Sequence, residues 1–349
     1  MSDMPQYSFD EHYVEALRSA MRSWETRQYV LLRIDESLRK LGLHDHCVIA
    51  VISLLTAFLR QAVTAGQLAE MVAAFQRDWR IHLDRKYLNE YEATRWSFMK
   101  QYVFFPGGAP RQLGRCLDLG CGRGCITSTI YRNGLASSVV GIDSSNFDNE
   151  WNERVSEWQG DQPSGARVVE YKAIPIGQIE TWLKQAGQFD TILLFYVLHH
   201  SEDYWAARTL DALKGSLSAN GCLIILEDAL DTDPGIRPVS DELDLTRKWR
   251  NWAQRTKRYC LTPAYDAQIV LDFVAVQLLA GFWDVRMPCN YRTSLEWRNE
   301  FQQIGYEVVT ARYIGFPEGR DIDVPQAVFI LKLPDAAGGA SGSEPTGAV

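Results

Sequence analysis

The sequence predicts an α/β fold with a mostly parallel sheet, helices on both faces of that sheet, and a helical N-terminal region. Two observations predict it. From residue 115 onward, short apolar segments alternate with helical patterns, which is typical of a parallel sheet covered by helices. Before that point, residues 8–100 show apolar side chains at helical spacing and no convincing strand. The chain has 349 residues, 46% of them apolar, which is enough for a buried core.

The N-terminal region, residues 1–105, is expected to be helical and to act as a lid or as a surface for oligomerisation. Apolar residues recur at Tyr13, Leu17 and Met21, and the same spacing returns further along the chain. A cluster of Pro and Gly at 106–110 then predicts a turn. This turn separates the helical region from the first strand.

The next part of the chain, residues 110–333, alternates strands and helices. The predicted strands are 115–119, 138–142, 167–172, 189–195 and 222–227, and the predicted helices are 124–133, 148–158, 176–186 and 203–218. Two more strands, 306–313 and 327–333, are joined only by a loop rich in Gly, Pro and Asp. The sheet is therefore expected to end in an antiparallel pair.

A long connection at 228–300 separates the fifth and sixth strands and carries helical patterns at 241–257 and 264–280. Connections of this length usually carry function, so we expect a helical lid over the substrate. Thr293 or Ser294 is expected to cap the helix that leads into the sixth strand.

The strongest functional signal is a glycine-rich turn after the first strand. Residues 116–124 read Cys-Leu-Asp-Leu-Gly-Cys-Gly-Arg-Gly, and the second strand ends in Val-Val-Gly-Ile-Asp143, 19 positions after the last glycine. Glycines let the backbone approach a ligand closely, and an acid about 20 residues further on can bind both ribose hydroxyls. The pattern indicates a nucleoside-binding site.

Details of the turn argue against two common nucleotide sites. A dinucleotide fold requires Gly or Ala at the sixth position of its motif, whereas this chain has the larger Cys125. A P-loop requires Gly-Lys-Ser or Gly-Lys-Thr, and the chain reads Arg123-Gly124-Cys125 instead. The dinucleotide interpretation is weakened, and nothing in the turn would hold a triphosphate.

The motif Leu-Asp-Leu-Gly-Cys-Gly-x-Gly, with Val-Gly-Ile-Asp at this distance, resembles motif I of class I S-adenosylmethionine-dependent methyltransferases, of the small-molecule type 11/12-like kind. The resemblance covers 110–333 and implies a Rossmann-like sheet of seven strands with an antiparallel last strand. It also implies that S-adenosyl-L-methionine is the cofactor, that Asp118 lies near its ammonium group, and that Asp143 holds its ribose.

The other residues that the resemblance assigns to the cofactor lie in the turn or follow the strands. They are Gly120, Cys121, Gly122, Gly124, Ser144, Ala173, Ile174, Phe195 and Tyr196. The family often has an aspartate near position 172 that accepts the adenine amino group, but Lys172 cannot accept a hydrogen bond. The backbone of Ala173 and Ile174 is the alternative contact.

Candidate catalytic residues follow the fourth and fifth strands. Leu198-His199-His200 resembles a family segment near the methionine end of the cofactor, and either histidine could be a general base, although a packing role is the alternative. Glu227 and Asp228 could deprotonate or orient a substrate, cap a helix, or pair with an arginine of the lid.

The segment 286–297 supplies the remaining candidates. Its phenol and guanidinium groups are expected to face the sheet opening and to meet a substrate hydroxyl or carboxylate. The alternative is an arginine bound to Glu227 or Asp228 and a tyrosine packed under the lid. The candidate catalytic residues are thus His199, His200, Glu227 and Tyr291, and the candidate substrate ligands are Asp228, Arg286, Asn290 and Arg292.

Composition limits the partners. A formal net charge of −8 provides no basic surface for nucleic acid, so we expect a small-molecule substrate and no nucleic-acid partner. The N-terminus lacks the features of a secretory signal, so we expect a cytoplasmic protein with free thiols. The apolar runs at 47–59 and 269–283 are too short and too interrupted to span a bilayer. A homodimer is an assembly that the sequence leaves possible.

These observations predict a methyltransferase that transfers a methyl group to a small molecule by O- or C-methylation, with natural product biosynthesis as the expected setting. No metal site is expected, because the cysteine spacing does not match one and the acids at the strand ends lack a further ligand in the expected place. Two alternatives stay open: a methyltransferase that modifies tRNA or other RNA, and a catalytically silent partner protein with a methyltransferase fold. The last residues, 335–349, are expected to be disordered.

Overall fold

A computed structural model gives the architecture of the chain. It describes residues 9–61, 63–83, 87, 96–97, 99–145, 151–152, 168–229, 264–282, 285–315 and 326–334. The predicted helix at 241–257 and the predicted disordered tail at 335–349 lie outside the described residues. So does the predicted helix at 148–158, apart from residues 151–152, which are helical.

Four α-helices occupy residues 11–83 of the N-terminal region, which confirms the predicted helical character. They are α1 (Glu11–Arg22), α2 (Trp24–Lys40), α3 (Asp45–Arg60) and α4 (Ala65–Leu83). Asp10 caps α1 by accepting a hydrogen bond from the Tyr13 backbone N–H at 2.6 Å. The apolar faces of the four helices meet in one core, as their helical spacing requires.

Seven strands form a single sheet, as predicted. They are β1 (Arg115–Leu119), β2 (Ser138–Asp143), β3 (Val168–Ala173), β4 (Phe189–Phe195), β5 (Leu217–Asp228), β6 (Glu307–Gly315) and β7 (Gln326–Lys332). The spatial order is β3-β2-β1-β4-β5-β7-β6. Neighbours among β1 to β5 are parallel, and β7 is antiparallel to both β5 and β6. The predicted antiparallel end of the sheet is confirmed.

Helices cover both faces of the sheet. They are α5 (Cys125–Arg132), α6 (Ile179–Ala186), α7 (Asp203–Lys214) and α9 (Ser294–Ile304). Along β4, Ile192 and Leu194 face one core, while Leu193 and Phe195 face the other. A central strand buried on both sides explains why this segment is apolar without alternation.

Two local details complete the comparison with the predicted elements. Thr293 caps α9 in a capping box, because its side chain accepts from the Glu296 backbone N–H while the Glu296 carboxylate accepts from the Thr293 N–H. The predicted helix at 203–218 ends earlier, at Lys214, and β5 begins at Leu217 instead of at the predicted residue 222. Residues 219–221 read Ala-Asn-Gly, a sequence that is typical of a turn. The pairing of β5 with β4 is irregular there, so the sequence turn lies within a bulged strand.

The long connection between β5 and β6 carries helix α8 (Ala264–Asp272), which continues as a wider π-type helix over Phe273–Leu279. The predicted helix at 264–280 is therefore confirmed. Its buried residues, among them Val270 and Val274, belong to the same core as the N-terminal helices. In the described part of the chain, no helix is long and apolar enough to cross a membrane.

Candidate active site

The glycine turn follows β1 and adopts a backbone that favours glycine. The φ angles of Gly120, Gly122 and Gly124 are 80°, 52° and 79°. A Cβ on Gly120 would collide with the Val197 side chain, and one on Gly124 would lie 2.7 Å from the Trp151 ring. A Cβ on Gly122 would meet nothing within 4 Å. Two of the glycines are thus needed for packing, and the third borders open space.

Asp143, at the end of β2, is fixed beside this open space. Its carboxylate accepts hydrogen bonds from the Gly122 N–H at 2.7 Å and from the Ser145 N–H at 3.0 Å. A carboxylate has about four acceptor positions, so further donors can bind to it. The acid predicted to hold a ribose therefore lies directly against the glycine turn.

Asp118, at the carboxyl end of β1, is buried. Its side chain is 2% exposed and accepts a hydrogen bond from Thr127 Oγ1 at 2.6 Å. Burial raises the pKa of Asp118 to about 6, and Asp143 adds to the rise, while the Thr127 hydrogen bond opposes it. No Lys or Arg in the described part of the chain forms an ion pair with this carboxyl group. It is a buried acid suited to a cationic ligand group.

An aromatic pair supports the turn from the side of β3. Trp151 donates from Nε1 to the Gly122 carbonyl at 3.0 Å and stacks on Tyr171 at a centroid distance of 5.0 Å. The Tyr171 hydroxyl donates to the Ser145 carbonyl at 2.5 Å. Cys121 is buried in the same small cluster as Trp151. Sequence reasoning missed both aromatic residues, because an isolated Trp or Tyr in such a pattern usually indicates core packing.

The remaining predicted cofactor residues lie at the ends of β2 and β3. Ser144 and Ala173 are exposed, whereas Ile174 is buried and donates its backbone N–H to the Asp143 carbonyl at 2.8 Å. Lys172 forms an ion pair with Glu170 at 3.5 Å. An adenine contact to the backbone here would therefore fall to groups other than the Ile174 N–H.

The chain turns sharply where β4 ends. Phe195 packs in the core against Phe104, with 7% of its surface exposed. Tyr196 has a φ of 60°, which is uncommon for a residue with a side chain. Its hydroxyl donates to Gln326 Oε1 at 2.7 Å, and its N–H donates to the Leu226 carbonyl. These bonds hold the strained residue and direct the chain into the two histidines.

Glu227, near the end of β5, anchors this turn. Its fully buried carboxylate accepts from the Val197 N–H at 2.8 Å, from the Leu198 N–H at 2.7 Å and from His199 Nδ1 at 2.6 Å. The carboxylate thus fixes both the backbone and the imidazole. Burial disfavours a charged His199, but Glu227 and Asp228 outweigh it and raise the pKa of His199 to about 9.

His200 lies beside His199, with ring centroids 4.0 Å apart. Its Nδ1 lies 3.1 Å from the Arg286 carbonyl, which can only accept, so we assign the proton to Nδ1. Desolvation and the charge of His199 lower the pKa of His200 to about 4. The two neighbouring imidazoles are thus held in different protonation states.

Helix α8 closes the other side of this cluster with two polar side chains. Gln268 Nε2 donates to Asp228 Oδ2 at 2.9 Å, and Asp272 accepts from the Tyr291 hydroxyl at 2.5 Å. The Tyr291 ring stacks on His199 at 5.8 Å. All of these side chains except that of His200 are nearly fully buried.

Tyr13 brings helix α1 to the same place. Burial raises the pKa of Tyr13 well above its usual value, and Asp272 is the next largest cause, so its hydroxyl lies near that carboxylate. The hydroxyl is buried and has no hydrogen-bond partner among the residues described. A buried polar group without a partner costs about 1–3 kcal/mol, which makes it a candidate contact for a ligand.

Comparison with known proteins agrees with this arrangement. A family model described as a methyltransferase domain matches residues 89–311. This chain belongs to that methyltransferase family. A search of curated proteins found no match to the sequence.

Several solved structures resemble the methyltransferase in fold, at identities too low to indicate more than the fold. One is the N,N-8-amino-8-demethyl-D-riboflavin dimethyltransferase of Streptomyces davawensis, with 16% identity, a TM-score of 0.51, and coverage of 84% of this chain and 71% of that one. Another is the mitomycin 7-O-methyltransferase, with 13% identity, a TM-score of 0.44, and coverage of 82% of this chain and 68% of that one. A third is the 1,6-didemethyltoxoflavin N1-methyltransferase of Burkholderia thailandensis, with 16% identity, a TM-score of 0.42, and coverage of 75% of this chain and 89% of that one.

The residues of the methyltransferase fit S-adenosyl-L-methionine, which the family implies. Gly122 leaves open the position that a Cβ would fill, so a ligand can approach the backbone there. Asp143 borders that space with a carboxylate that can accept from ribose hydroxyls. Asp118 supplies a buried acid for the ammonium group. These three residues would hold the cofactor.

The structure gives the two arginines ion-pair partners that the sequence did not indicate. Arg286 is exposed and pairs with Glu202 at 3.3 Å, and Arg292 pairs with Asp203 and Glu300, each at 3.0 Å. Within the described residues neither pairs with Glu227 or Asp228, because carboxylates next to α7 and on α9 bind them instead. Their role as substrate ligands remains a prediction.

Asn290 and Tyr291 lie closer to the histidines. Asn290 Nδ2 donates to the Ser201 carbonyl at 2.9 Å, so it holds the loop after the histidines. The sequence identified Tyr291 as a candidate, and the structure adds Tyr13, Gln268 and Asp272, which were not among the candidates. A signal existed for Asp272, since an acid inside the apolar run 269–283 must be buried or functional.

Proposed function

We propose that this methyltransferase uses S-adenosyl-L-methionine to methylate a small-molecule acceptor, by O- or C-methylation, in specialised metabolism. The acceptor site is the cluster between the end of β4, helix α8 and helix α1. The residues His199, Asp228, Asp272 and Tyr291 are at most 6% exposed, so an acceptor that reaches them is enclosed by protein and must be small. The net charge of −8 also disfavours a nucleic-acid acceptor.

The observation that carries the proposal is the position of Val197. Its side chain lies against Gly120 of the cofactor turn, and its N–H donates to Glu227, which also holds His199. One residue therefore links the cofactor turn to the histidine cluster. A donor bound at the turn and an acceptor bound at the cluster would lie side by side, as transfer between them requires.

When bound, S-adenosyl-L-methionine supplies a methyl group on a sulfonium, which is an electrophile. The protein residues then act mainly by position. Glu227 uses its oxygens to fix the turn and His199, and Tyr291 uses its hydroxyl to fix Asp272. The Nε2 atoms of His199 and His200 are therefore the groups available to hold an acceptor hydroxyl.

Cofactor binding is tested by calorimetric titration of the full-length protein with S-adenosyl-L-methionine. Asp143→Ala removes the acceptor beside the turn and should weaken binding at least tenfold. Asp211→Ala, at an exposed aspartate of α7, is the matched control and should bind like the wild type. An absence of binding by the wild type would refute the proposed transfer and would favour a catalytically silent partner protein.

The acceptor is tested with methyl-labelled cofactor and two separate fractions of a cell extract. Label that appears in the small-molecule fraction supports the proposal. Label that appears only in RNA refutes it and favours the alternative of an RNA-modifying enzyme. Asp143→Ala should reduce the labelling in either fraction about fivefold or more at cofactor concentrations near the wild-type Kd.

A further inference from the structure

Two histidines and an aspartate converge on the acceptor side of the site. His199 and His200 come from the turn after β4, and Asp272 comes from the end of α8. One potential ligand atom from each lies within 4.8 Å of the others. Two imidazoles and one carboxylate form a ligand set that suits Zn²⁺, Fe²⁺ or a similar divalent ion.

We propose that His199, His200 and Asp272 bind a divalent transition-metal ion next to the acceptor. Binding of the ion does not depend on the proposed methyl transfer. Its role does rest on that function, because the ion would hold the acceptor oxygen at the position where the methyl group arrives. The proposal departs from the expectation of no metal site, because Asp272 is distant in sequence from the histidines and was not among the candidates.

Each ligand is oriented by a hydrogen bond from its far side. His199 Nδ1 bonds to Glu227 at 2.6 Å, and His200 Nδ1 bonds to the Arg286 carbonyl at 3.1 Å. In the neutral imidazoles both contacts place the proton on Nδ1, so an ion would bind Nε2 of His200 directly and would displace the Nε2 proton of a charged His199. Asp272 is held by the Tyr291 hydroxyl at 2.5 Å. Metal-binding histidines and carboxylates in proteins usually have such outer partners.

The environment of Asp272 also favours a cation. The side chain is 5% exposed, and no Lys or Arg within the described ranges forms an ion pair with it. The residues described as buried include no Lys or Arg at all. A buried carboxylate normally has a cationic partner or a metal. The hydroxyl of Tyr13 near it has no hydrogen-bond partner in the described part, so there is also a polar group left for a metal-bound water or acceptor.

The distances require only a small adjustment. Bonds of about 2.1 Å to a tetrahedral ion place its ligand atoms about 3.4 Å apart. The present spacing of up to 4.8 Å must therefore shorten by about 1.4 Å at most. Rotation of the imidazole and carboxylate side chains can supply that change without movement of the backbone.

A surface histidine cluster offers a contrast within the same chain. His44 lies 5.0 Å from His46 and 6.5 Å from His82 between ring centroids. However, His44 Nδ1 accepts from the His46 N–H, and His82 Nε2 accepts from the His44 N–H, so two of the electron pairs are already used. These residues provide the matched control for adventitious binding by exposed histidines.

The test uses the full-length protein without a polyhistidine tag, after removal of metals with a chelator. Co²⁺ is titrated and followed by its visible absorption, and Zn²⁺ is titrated by calorimetry. We expect one ion per chain. His200→Ala and Asp272→Asn should each weaken binding at least tenfold, and Tyr291→Phe should weaken it about tenfold through the lost outer hydrogen bond. His46→Ala should bind the ion like the wild type.

Titration with S-adenosyl-L-methionine on the same samples shows whether each variant is folded and separates the two proposals. Retained metal binding in both His200→Ala and Asp272→Asn would overturn the metal site, as would loss of binding in His46→Ala. Failure of the wild type to bind either ion would also overturn it. In each of these cases the proposed methyltransferase function would stand if the cofactor still binds.

Discussion

Replacement of Asp118 by asparagine is expected to change stability and cofactor binding in opposite directions. The acid is 2% exposed, and its pKa rises from 3.8 to about 6 because burial disfavours the charged form. Asparagine keeps an oxygen that can accept from Thr127 and removes the charge. The variant should therefore relieve a cost of the free protein while it removes the partner of the cofactor ammonium group.

The magnitude follows from the shift in pKa. Because the folded protein binds this proton more tightly than the unfolded chain, the cost grows as the pH rises from about 4 to 6. A shift to about 6 corresponds to about 3 kcal/mol at pH 7 and to about 1 kcal/mol at pH 4.5. The stability of Asp118→Asn relative to the wild type should thus increase by about 2 kcal/mol between pH 4.5 and pH 7.

This difference is measured by urea unfolding of both proteins at the two pH values. Any constant cost of the new amide group cancels in the comparison between them. A difference between Asp118→Asn and the wild type that does not depend on pH would refute the reasoning, since burial would then not have raised the pKa.

Cofactor binding gives the second half of the same prediction. A charged Asp118 favours an ammonium group, so the affinity of the wild type for S-adenosyl-L-methionine should fall as the pH drops below about 6. Asp118→Asn should bind at least tenfold more weakly at pH 7 and should lose this pH dependence. Calorimetric titration across pH 5 to 8 measures both effects. Equal affinity of the two proteins at pH 7 would mean that Asp118 does not contact the cofactor.

Three further predictions concern single residues. Gly120→Ala should destabilise the protein by more than about 2 kcal/mol, because its Cβ would collide with Val197. Gly122→Ala should cost only about 1 kcal/mol of backbone strain and should mainly weaken cofactor binding. Thermal unfolding measures the loss of stability and calorimetry measures the affinity, and a larger loss of stability in Gly122→Ala than in Gly120→Ala would contradict the prediction. Thr293→Ala should lower the free energy of unfolding in urea by about 1 kcal/mol, because it removes the cap of α9, whereas Thr293→Ser should leave it almost unchanged. Equal stability of the two variants would show that the capping box does not stabilise the protein. Tyr13→Phe should stabilise the free protein by about 1 kcal/mol or more, and a loss of stability would show that its hydroxyl has a partner.

Local pattern was sufficient for most of the fold. Residues 192–195 of β4, for example, form a continuous apolar run, and the cap at Thr293 depends only on its spacing from Glu296. The start of β5 could not be predicted in the same way. Leu217 pairs with Phe189, which lies on another strand, and that pairing overrides the turn signal at 219–221. Local propensity gives no information about a pairing partner that is distant in sequence.

Some residues of the candidate site could be predicted from the sequence, and others could not. Asp118 and Asp143 could be placed from a motif, because their spacing is set by one strand, one turn and the next strand. Tyr13 could not, since a tyrosine on an apolar helix stripe fits a core equally well. The ion-pair partners of Arg292 could not be predicted either, because the carboxylates of Asp203 and Glu300 become its neighbours only through the packing of α7 and α9.

The shared core of α8 and the N-terminal helices has a consequence for how specificity can change. Tyr13, Gln268 and Asp272 all project from this helical unit, whereas the glycine turn and Asp143 belong to the sheet. In the proposed function, the acceptor therefore contacts both the helical unit and the strand ends, whereas the methyl donor contacts the sheet part alone. Exchange of the helical unit between related enzymes offers a modular route to new acceptors, with the donor site left intact.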